Sequence, residues 1–266
     1  MNDFRQYTGV ADTYERVRAP ITSAVAADLV ALSEPADGAR VLDVGTGTGV
    51  AAEAAAAAVP EGFVVGVDRS IEMLATGRRA RPGLRALAAE AIQLPFPDAT
   101  FDVVLGNFVI PEFKRYETAL FDIMRVLRPG GRLAVSTWTL EEDELAMRWR
   151  TLVEESTGQE MVRSARSEAI PWAERFGRAA TLEETLRDSG LRPVRVERRT
   201  YRFSMPRDDY IAEQSTRALG RFVREMLGEH GFEAFLDRAR AAYASSYGDE
   251  IKDSREALIA IGTKPS

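Results

Sequence analysis

The feature of this sequence that most constrains its fold is an apolar run that leads directly into three closely spaced glycines. Residues 41–49 read Val-Leu-Asp-Val-Gly-Thr-Gly-Thr-Gly, and an alanine-rich segment with helical spacing follows at residues 50–59. Glycines at such a turn let the backbone reverse sharply and let a ligand approach without meeting a Cβ atom. A strand, a glycine turn and a helix in this order are typical of the ligand-binding edge of an α/β sheet.

Strands and helices alternate through the first half of the chain. Apolar runs bounded by turn residues predict buried strands at residues 41–44, 63–67, 84–88, 101–105 and 132–138. Helical spacing predicts helices between them at residues 50–59, 71–79 and 116–127. This alternation favours an α/β fold with a parallel sheet and helices on both faces.

The second half of the chain is richer in helical patterns. Residues 141–158, 181–189 and 208–247 have helical spacing, with a break in the last segment near Gly228, and residues 161–178 have no clean period. The last two strands are predicted at residues 194–203 and 257–261, and they flank a helical lid. We predict one domain over residues 1–266, with core segments at about 34–140, 180–204 and 255–264 and lid segments at about 1–25, 141–178 and 205–250.

Composition excludes several classes of chemistry. The 266 residues include no cysteine and one histidine, His230. This excludes disulfides, thiol nucleophiles, histidine-cysteine zinc sites and catalysis by two imidazoles, and we predict no metal site. The 35 basic and 41 acidic residues give a net charge of −6, whereas nucleic acids and anionic membranes attract a positive surface.

The sequence also predicts where the protein is located and what it binds. The first residues carry Asp3 and Arg5 without an apolar core, and no apolar stretch reaches the roughly 18 residues of a membrane span. We expect a cytoplasmic protein, a monomer or a homodimer, that acts on a small molecule and binds neither nucleic acid nor a membrane.

Two acidic residues distinguish between the ligands that such an edge can bind. Asp68 lies about 20 residues after the glycines, at the end of the next predicted strand, where an acidic residue binds ribose hydroxyls. The glycine spacing is G-x-G-x-G rather than the G-x-G-x-x-G of a dinucleotide site. Asp43, two residues before Gly45, suits a ligand that carries an ammonium and a sulfonium better than one that carries a pyrophosphate.

These motifs together resemble those of the class I S-adenosylmethionine-dependent methyltransferases, in particular the bacterial small-molecule, quinone-biosynthesis-like group of type 11. The resemblance covers roughly residues 39–138. It implies a Rossmann-like seven-stranded sheet and S-adenosylmethionine as the cofactor.

Residues 66–74 and 89–96 resemble two of the family's adenosine-binding motifs. The resemblance implies that Asp68 binds the ribose and that Met73 packs on the adenine. Glu90 stands where the family most often has aspartate, so that either its side chain or the backbone around Ala91 and Ile92 contacts the adenine amino group.

Two further segments are assigned to the methionine end of the cofactor. Residues 101–108 resemble the family's fourth motif, in which Asn107 faces the methyl-transfer zone, and residues 7–16 resemble a segment that closes over the cofactor through Tyr14. An ordinary packed tyrosine is the alternative for Tyr14. The complete predicted cofactor set is Tyr14, Asp43, Gly45, Thr46, Gly47, Asp68, Arg69, Met73, Glu90, Ala91, Ile92 and Asn107.

Few catalytic groups are expected, because the methyl group of a sulfonium is already activated and the enzyme has chiefly to align the reactants and exclude water. Glu112 stands near the position where related enzymes often carry a histidine. It is a candidate general base, with a solvated loop glutamate as the alternative, and Tyr14 is a second catalytic candidate. Phe108 and Trp138 are predicted to line the acceptor pocket.

The sequence thus predicts transfer of a methyl group to a small, apolar metabolite, at an oxygen, carbon or nitrogen atom. An alternative uses the cofactor as a scaffold for a non-methylating reaction such as a cyclisation, because a fold does not determine a reaction. A non-enzymatic binding module is a third possibility. The glycine spacing disfavours a nicotinamide-dependent reductase.

Overall fold

The computed structural model of the protein describes Tyr7 and residues 9–266. The strands are β1 (Arg40–Val44), β2 (Phe63–Asp68), β3 (Ala86–Ala88), β4 (Phe101–Asn107), β5 (Leu127–Trp138), β6 (Val194–Pro206) and β7 (Glu250–Thr263). The helices are α1 (Ala11–Val17), α2 (Ala19–Ser33), α3 (Val50–Ala58), α4 (Ile71–Ala80), α5 (Tyr116–Val126), α6 (Glu144–Thr157), α7 (Gln159–Ala169), α8 (Ala173–Phe176), α9 (Ala179–Asp188), α10 (Arg207–Thr216) and α11 (Ala218–Ala244). A 3-10 turn, Ile110–Glu112, follows β4.

The strands form one seven-stranded sheet in the order β3-β2-β1-β4-β5-β7-β6. Neighbours from β3 to β5 are parallel, and β7 runs antiparallel to both β5 and β6. The strand order reverses between β1 and β4, which are neighbours in the sheet although β2 and β3 separate them in the chain. Ligands of open α/β sheets bind beside such a point. The predicted Rossmann-like sheet is confirmed.

Both faces of the sheet are buried under helices. Successive residues of a strand point to opposite faces, so that Leu42 joins a cluster beneath α5 and α9 while Val41 joins one beneath α2 and α3. Such strands must be apolar on both faces, which is why they are nearly continuous hydrophobic runs. That property made the parallel strands visible in the sequence.

Two strands begin earlier than predicted. The strand expected at residues 132–138 begins at Leu127, with a register shift against β4 between Phe101 and Val103. The strand expected at residues 257–261 begins at Glu250, because a charged stretch pairs with β6 along an uninterrupted antiparallel ladder. A strand segment that faces solvent or a polar cavity does not need apolar residues. The hydrophobic pattern therefore did not predict the first part of β7 as a strand.

The helical cap consists of α6, α7, α10 and α11. It has its own core, which includes Trp149, Tyr210, Phe232, Phe235 and Tyr243. The predicted break near Gly228 is present, since this glycine has a φ of 68° inside α11. Residues 1–6 and 8 of the lid segment predicted at 1–25 lie outside the described residues. The described part is divided, since α1 contacts α10 of the cap whereas α2 contacts β4 and β5 of the sheet.

Glu213 of α10 joins the cap to the rest of the molecule. Its carboxylate, which is 0% exposed, accepts hydrogen bonds from Arg18 at 3.2 Å, from Arg217 at 3.0 Å and from Arg255 at 3.2 Å. Burial by itself raises the pKa of Glu213, but the charges of Arg217, Arg255 and Arg18 outweigh burial and lower the pKa to about 2. One buried carboxylate therefore connects the α1–α2 junction, the α10–α11 junction and β7.

Two kinds of feature are absent from the described residues. Within Tyr7 and residues 9–266, no helix is both long and apolar enough to cross a lipid bilayer. The same residues contain no group of three or more metal-ligating side chains arranged to hold an ion.

Replacing Glu213 is expected to destabilise the protein in a pH-dependent way. Glu213→Gln leaves three arginines facing an uncharged partner, and the loss of one partner of a buried pair costs about 3–5 kcal/mol. Because the pKa of Glu213 is below its usual value of 4.5 in the folded protein, its contribution is present above pH 4.5 and is lost as the pH falls towards 2. Urea unfolding at pH 7 and at pH 3 measures both effects.

Glu160→Gln is the matched control, since the Glu160 side chain on α7 is 82% exposed. We expect the stability difference between wild type and Glu213→Gln to shrink at pH 3, and Glu160→Gln to resemble wild type at both values. Equal stability of Glu213→Gln and wild type at pH 7 would contradict the role given to this carboxylate.

Candidate functional site

A cavity of about 590 Å³ opens at the carboxyl ends of β1, β2 and β4. Most of the predicted cofactor residues lie on its wall: Tyr14, Gly45, Gly47, Asp68, Arg69, Met73, Glu90, Ala91, Ile92 and Asn107. The structure thus brings together residues that are separated by as many as 93 positions in the chain, because the parallel strands end at one edge of the sheet.

The glycine turn forms the floor of this cavity. Gly45 and Gly47 have φ values of 68° and 55°, a left-handed conformation that favours glycine. A Cβ atom on Gly45 would overlap Val109, and one on Gly47 would lie 3.3 Å from Cε of Met73. The turn is therefore closed to side chains, both by its backbone conformation and by its neighbours.

Asp43 and Thr46 lie beneath this turn and are not among the residues that line the cavity. The Asp43 carboxylate is 0% exposed and accepts hydrogen bonds from Oγ1 of Thr46 at 2.6 Å and from the backbone N–H of Ala52 at 3.0 Å. Burial raises the pKa of Asp43 to about 7, although both hydrogen bonds lower it. In this structure Asp43 shapes the turn from below, and a direct contact with a cofactor stays a prediction.

Asp68 faces the cavity from the end of β2 and also holds the glycine turn. Its two carboxylate oxygens accept backbone N–H groups of Gly47 and Ser70, each at 2.8 Å. Burial raises the pKa of Asp68, and these backbone hydrogen bonds oppose the rise. A carboxylate offers about four acceptor positions, so Asp68 keeps capacity for the two neighbouring hydroxyls of a ribose.

The adenine side of the predicted site is apolar. Met73 is buried at the start of α4, where Ser70 caps the helix by accepting the Met73 N–H. Ala91 and Ile92 lie on the opposite stretch of wall after β3, and the Glu90 side chain is exposed beside them.

Asn107, the last residue of β4, and Phe108, which follows it, also line the cavity. Asn107 donates to the carbonyl of Thr22 at 3.3 Å and accepts from Oγ of Ser136 at 2.7 Å, so its amide is held between α2 and β5. Phe108 has a φ of 61° and stacks on Trp138 at a centroid distance of 4.1 Å. A phenylalanine in the left-handed region is strained, and such strain is concentrated at functional sites.

The segment before α1 contributes Tyr7, which our sequence reasoning passed over in favour of Tyr14. The two rings meet edge to face with centroids 5.6 Å apart, and the Arg18 guanidinium lies 5.8 Å from the Tyr14 centroid. All three residues line the cavity. The spacing of four between Tyr14 and Arg18 places them on one helix face, a signal that could have identified Arg18.

Glu112 is not the solvated loop residue that the sequence allowed. It ends the 3-10 turn after β4 and accepts a hydrogen bond from the Tyr7 hydroxyl at 2.9 Å. Burial raises the pKa of Glu112, while Arg221 and the Tyr7 hydrogen bond oppose the rise. A half-buried carboxylate on the cavity wall can accept a proton from a neighbouring molecule.

A second cavity of about 390 Å³ adjoins the first, between the sheet edge and the helical cap. Arg18, Phe108 and Glu112 line both cavities, whereas Trp138 lines only the second. The stacked pair of Phe108 and Trp138 thus lies at the boundary, where sequence reasoning expected the acceptor. Arg217 and Arg255 were not predicted. Arg255 on β7 is distant in sequence from its partner Glu213, whereas Arg217 lies four residues after Glu213, a helical spacing that could have identified this pair.

Fold and site together define a class of protein: an open α/β sheet whose first two strands build a nucleoside-binding cavity with an adjoining second pocket. The glycine turn admits close approach of a ligand, Asp68 retains acceptor positions, and Met73 offers an apolar surface. These residues fit the adenosine part of S-adenosylmethionine.

Comparison with known proteins supports a more specific assignment. The family model described as "Methyltransferase domain" matches residues 42–135. A malonyl-[acyl-carrier protein] O-methyltransferase of Methylococcus capsulatus is 30% identical over 240 residues, which is 85% of this chain and 79% of that protein. A demethylmenaquinone methyltransferase of Thermus thermophilus is 45% identical over 100 residues, 36% of this chain.

The alignment with the Thermus relative spans 46% of that protein's length. Solved structures agree with the fold. The YcgJ protein of Bacillus subtilis has a TM-score of 0.56 at 21% identity, with 91% of this chain and 99% of that chain covered. The [4+2]-cyclase SpnF has a TM-score of 0.52 at 21% identity, with 99% of this chain and 85% of that chain covered.

The chain belongs to the class I S-adenosylmethionine-dependent methyltransferase family. The predicted resemblance to this family is confirmed. The roles that the resemblance implies for the individual site residues stay predictions.

A side chain at Gly47 is expected to abolish cofactor binding without unfolding the protein. Gly47→Val places a branched side chain on the cavity floor beside Met73, and the affinity for S-adenosylhomocysteine should fall by at least about tenfold, or about 1.4 kcal/mol. Calorimetric titration of the folded variant measures this affinity.

Gly130→Val is the matched control. Gly130 has a φ of 76°, so valine suffers a similar backbone strain there, and a Cβ atom would meet nothing within 4 Å. We expect both variants to lose stability and only Gly47→Val to lose affinity. Normal binding by Gly47→Val would show that the turn does not approach the ligand.

Proposed function

We propose that the protein transfers a methyl group from S-adenosylmethionine to a small-molecule acceptor. The observation that carries this proposal is the wall of the first cavity, where the glycine turn, Asp68 and Met73 meet at the ends of β1 and β2. When bound, the cofactor supplies an activated methyl group on a sulfonium. The chain's own task is then to orient the reactants and to exclude water.

Each part of the wall has a proposed task. Asp68 accepts the ribose hydroxyls, Met73 and the stretch from Glu90 to Ile92 enclose the adenine, and the glycine turn admits the backbone approach. Asn107 and Tyr14 border the methionine end. Asp43 is buried beneath the turn, and its proposed task is to act on the cofactor through its charge without contacting it directly.

The second cavity is the proposed acceptor site. It shares Phe108 and Glu112 with the first cavity, so an acceptor bound there meets the cofactor cavity at the boundary. Holding two reactants in one geometry supplies much of the rate enhancement of such a transfer. This agrees with a chain that has one histidine and no cysteine.

The relatives define a range of acceptors rather than one. Their names specify demethylmenaquinone in one case and a malonyl group on acyl-carrier protein in the other. The acceptor atom in this protein, its cytoplasmic location and its monomeric or dimeric state stay predictions.

The competing proposal, a cofactor used only as a scaffold, is tested by the same experiment. We expect S-adenosylmethionine and S-adenosylhomocysteine to bind in calorimetric titrations of the stripped protein and NAD not to bind. Incubation with an acceptor panel that includes reduced demethylmenaquinone and a malonyl thioester should then produce S-adenosylhomocysteine and an acceptor heavier by one methylene, detected by mass spectrometry.

Other outcomes are equally informative. Conversion of an acceptor at constant mass with no S-adenosylhomocysteine would favour the scaffold role. Binding of NAD alone would support a reductase, and no binding of any of the three would remove the proposed cofactor site.

We also propose Glu112 as the proton acceptor when the acceptor molecule reacts through a hydroxyl group. Glu112 lies on the wall that both cavities share, and Tyr7 orients its carboxylate through the 2.9 Å hydrogen bond. Its pKa is raised by burial, which makes the carboxylate a stronger base than an exposed glutamate.

Glu112→Gln is expected to slow transfer to a hydroxyl acceptor by about 10²–10⁴-fold, because general-base catalysis typically contributes that factor. In wild type the rate should rise with pH through the raised pKa of Glu112, since the base must be deprotonated. Tyr7→Phe removes a hydrogen bond that lowers this pKa, so the rise should move to higher pH. Initial rates over a pH series measure these effects.

The exposed Glu117 at the start of α5 provides a control, Glu117→Gln. It should leave the pH profile unchanged. An unaltered rate in Glu112→Gln, with S-adenosylhomocysteine still bound, would rule out Glu112 as the base.

A further inference from the structure

Three arginines converge on one carboxylate beside the second cavity. Arg18, Arg217 and Arg255 all line this cavity, and all three bind Glu213, which is 0% exposed. Asp253 also pairs with Arg255. The charge of Glu112, which lines the same cavity, also acts on Arg18. Around Glu213 itself, three guanidinium groups surround one carboxylate.

Arg217 has binding capacity that the described structure does not use. Its Nε donates to both oxygens of Glu213, at 3.0 and 3.1 Å, while Nη2 is buried without a hydrogen-bond partner among the described residues. The side chain is 27% exposed. Leaving a buried donor of a charged group unpaired is costly, because the group has lost its hydration. Burial and the charge of Arg255 lower the pKa of Arg217, and a nearby anion would relieve both.

The acidic residues that line this cavity have partners of their own. Glu112 accepts the Tyr7 hydroxyl, and Glu141 pairs with Arg198 at 3.5 Å. Glu142 pairs with Arg166 at 2.7 Å and with Arg150 at 3.1 Å, and Glu256 pairs with Arg198 at 2.7 Å. These salt bridges involve partly exposed side chains. Asp143 caps α6 by accepting the Ala146 N–H at 2.7 Å. Beside these pairs, Nη2 of Arg217 remains a buried donor without a hydrogen-bond partner among the described residues.

Much of the remaining wall is apolar. Phe108, Pro111, Trp138, Leu140 and Ile170 contribute to it. An enclosed pocket with a largely apolar surface and a few converging polar groups is typical of a small-molecule site. Such a wall suits a molecule with an apolar body and one anionic group.

We propose that the acceptor carries a carboxylate and that Arg217, with Arg18 and Arg255 beside it, binds this carboxylate in the second cavity. Arginine and carboxylate groups match in geometry and form strong charge-assisted hydrogen bonds. This proposal rests on the proposed function, in which the second cavity holds the acceptor.

The position of Arg217 also implies that the carboxylate of the acceptor is distant from the acceptor atom that is methylated. Arg217 lines only the second cavity, whereas Phe108 and Glu112 line both. The carboxylate is therefore an anchor at the far end, and the methylated atom belongs to another part of the acceptor, near the boundary. Arg217 is a specificity-determining residue in this arrangement.

The test compares isosteric charged and neutral probes. Hexanoate and hexanamide, and benzoate and benzamide, are titrated into the full chain by calorimetry, with and without saturating S-adenosylhomocysteine. We expect each carboxylate to bind about 10- to 100-fold more tightly than its amide, the range of a charged hydrogen bond. Arg217→Gln should remove this preference while its affinity for S-adenosylhomocysteine stays unchanged.

Arg240→Gln is the matched control, since it removes the same charge from an exposed residue of α11 that pairs with Asp237. It should keep the preference. The proposal is overturned if wild type binds neither carboxylate, or binds both no better than their amides, and also if folded Arg217→Gln keeps the preference. The wild-type comparison does not depend on the folding of any variant.

Failure of this proposal is distinguishable from failure of the proposed function. If S-adenosylhomocysteine binds and the carboxylate preference is absent, only the anchor is wrong. If S-adenosylhomocysteine does not bind, the titrations without it still decide whether Arg217 holds a carboxylate.

Discussion

The geometry of the site depends on one carboxylate, that of Asp68, which accepts the Gly47 N–H at 2.8 Å and the Ser70 N–H at 2.8 Å. These hydrogen bonds join the turn after β1 to the turn after β2, so two loops that differ in sequence keep one relative position. Asp43 supports the first turn from below through Thr46 and Ala52. Buried carboxylates are stable only where hydrogen bonds replace their hydration. Here the replacing donors are the loops that shape the cavity, so structural and binding roles coincide.

A second buried carboxylate performs the corresponding task for the cap. Glu213 is far from the glycine turn, yet its partners Arg18 and Arg255 come from the beginning and the end of the chain. The cap is thereby attached next to the boundary between the two cavities, beside Phe108 and Glu112. Because three guanidinium groups surround this one carboxylate, the attachment also places them on the wall of the second cavity. Anchoring of the cap and the proposed selection of an acceptor are two consequences of one cluster.

Neither cavity presents an elaborate set of reactive side chains. What the fold supplies is enclosure, with apolar surfaces at Met73, Phe108 and Trp138, and a small number of fixed polar groups. In such a site electrostatic effects are stronger than in water, and a partly buried carboxylate such as that of Glu112, the proposed base, accepts a proton more readily than an exposed one. This economy agrees with a family whose cofactor brings its own reactivity.

The sequence by itself determined the α/β sheet and most of the first cavity. Parallel strands buried on both faces must be apolar throughout, and a polar residue at the carboxyl end of such a strand is easily identified, as Asp68 is at the end of β2 and Asn107 at the end of β4. The first part of β7 escaped prediction because residues 250–256 are mostly polar and their strand is stabilised by pairing with β6. The places of Tyr7, Arg217 and Glu213 were decided only by the tertiary structure. Tyr7 contacts Glu112, and Glu213 contacts Arg18 and Arg255, across segments far apart in the chain, so these contacts leave no period or spacing in the sequence. The pair of Glu213 and Arg217 has helical i,i+4 spacing, but its place beside the second cavity depends on how the helices pack over the sheet.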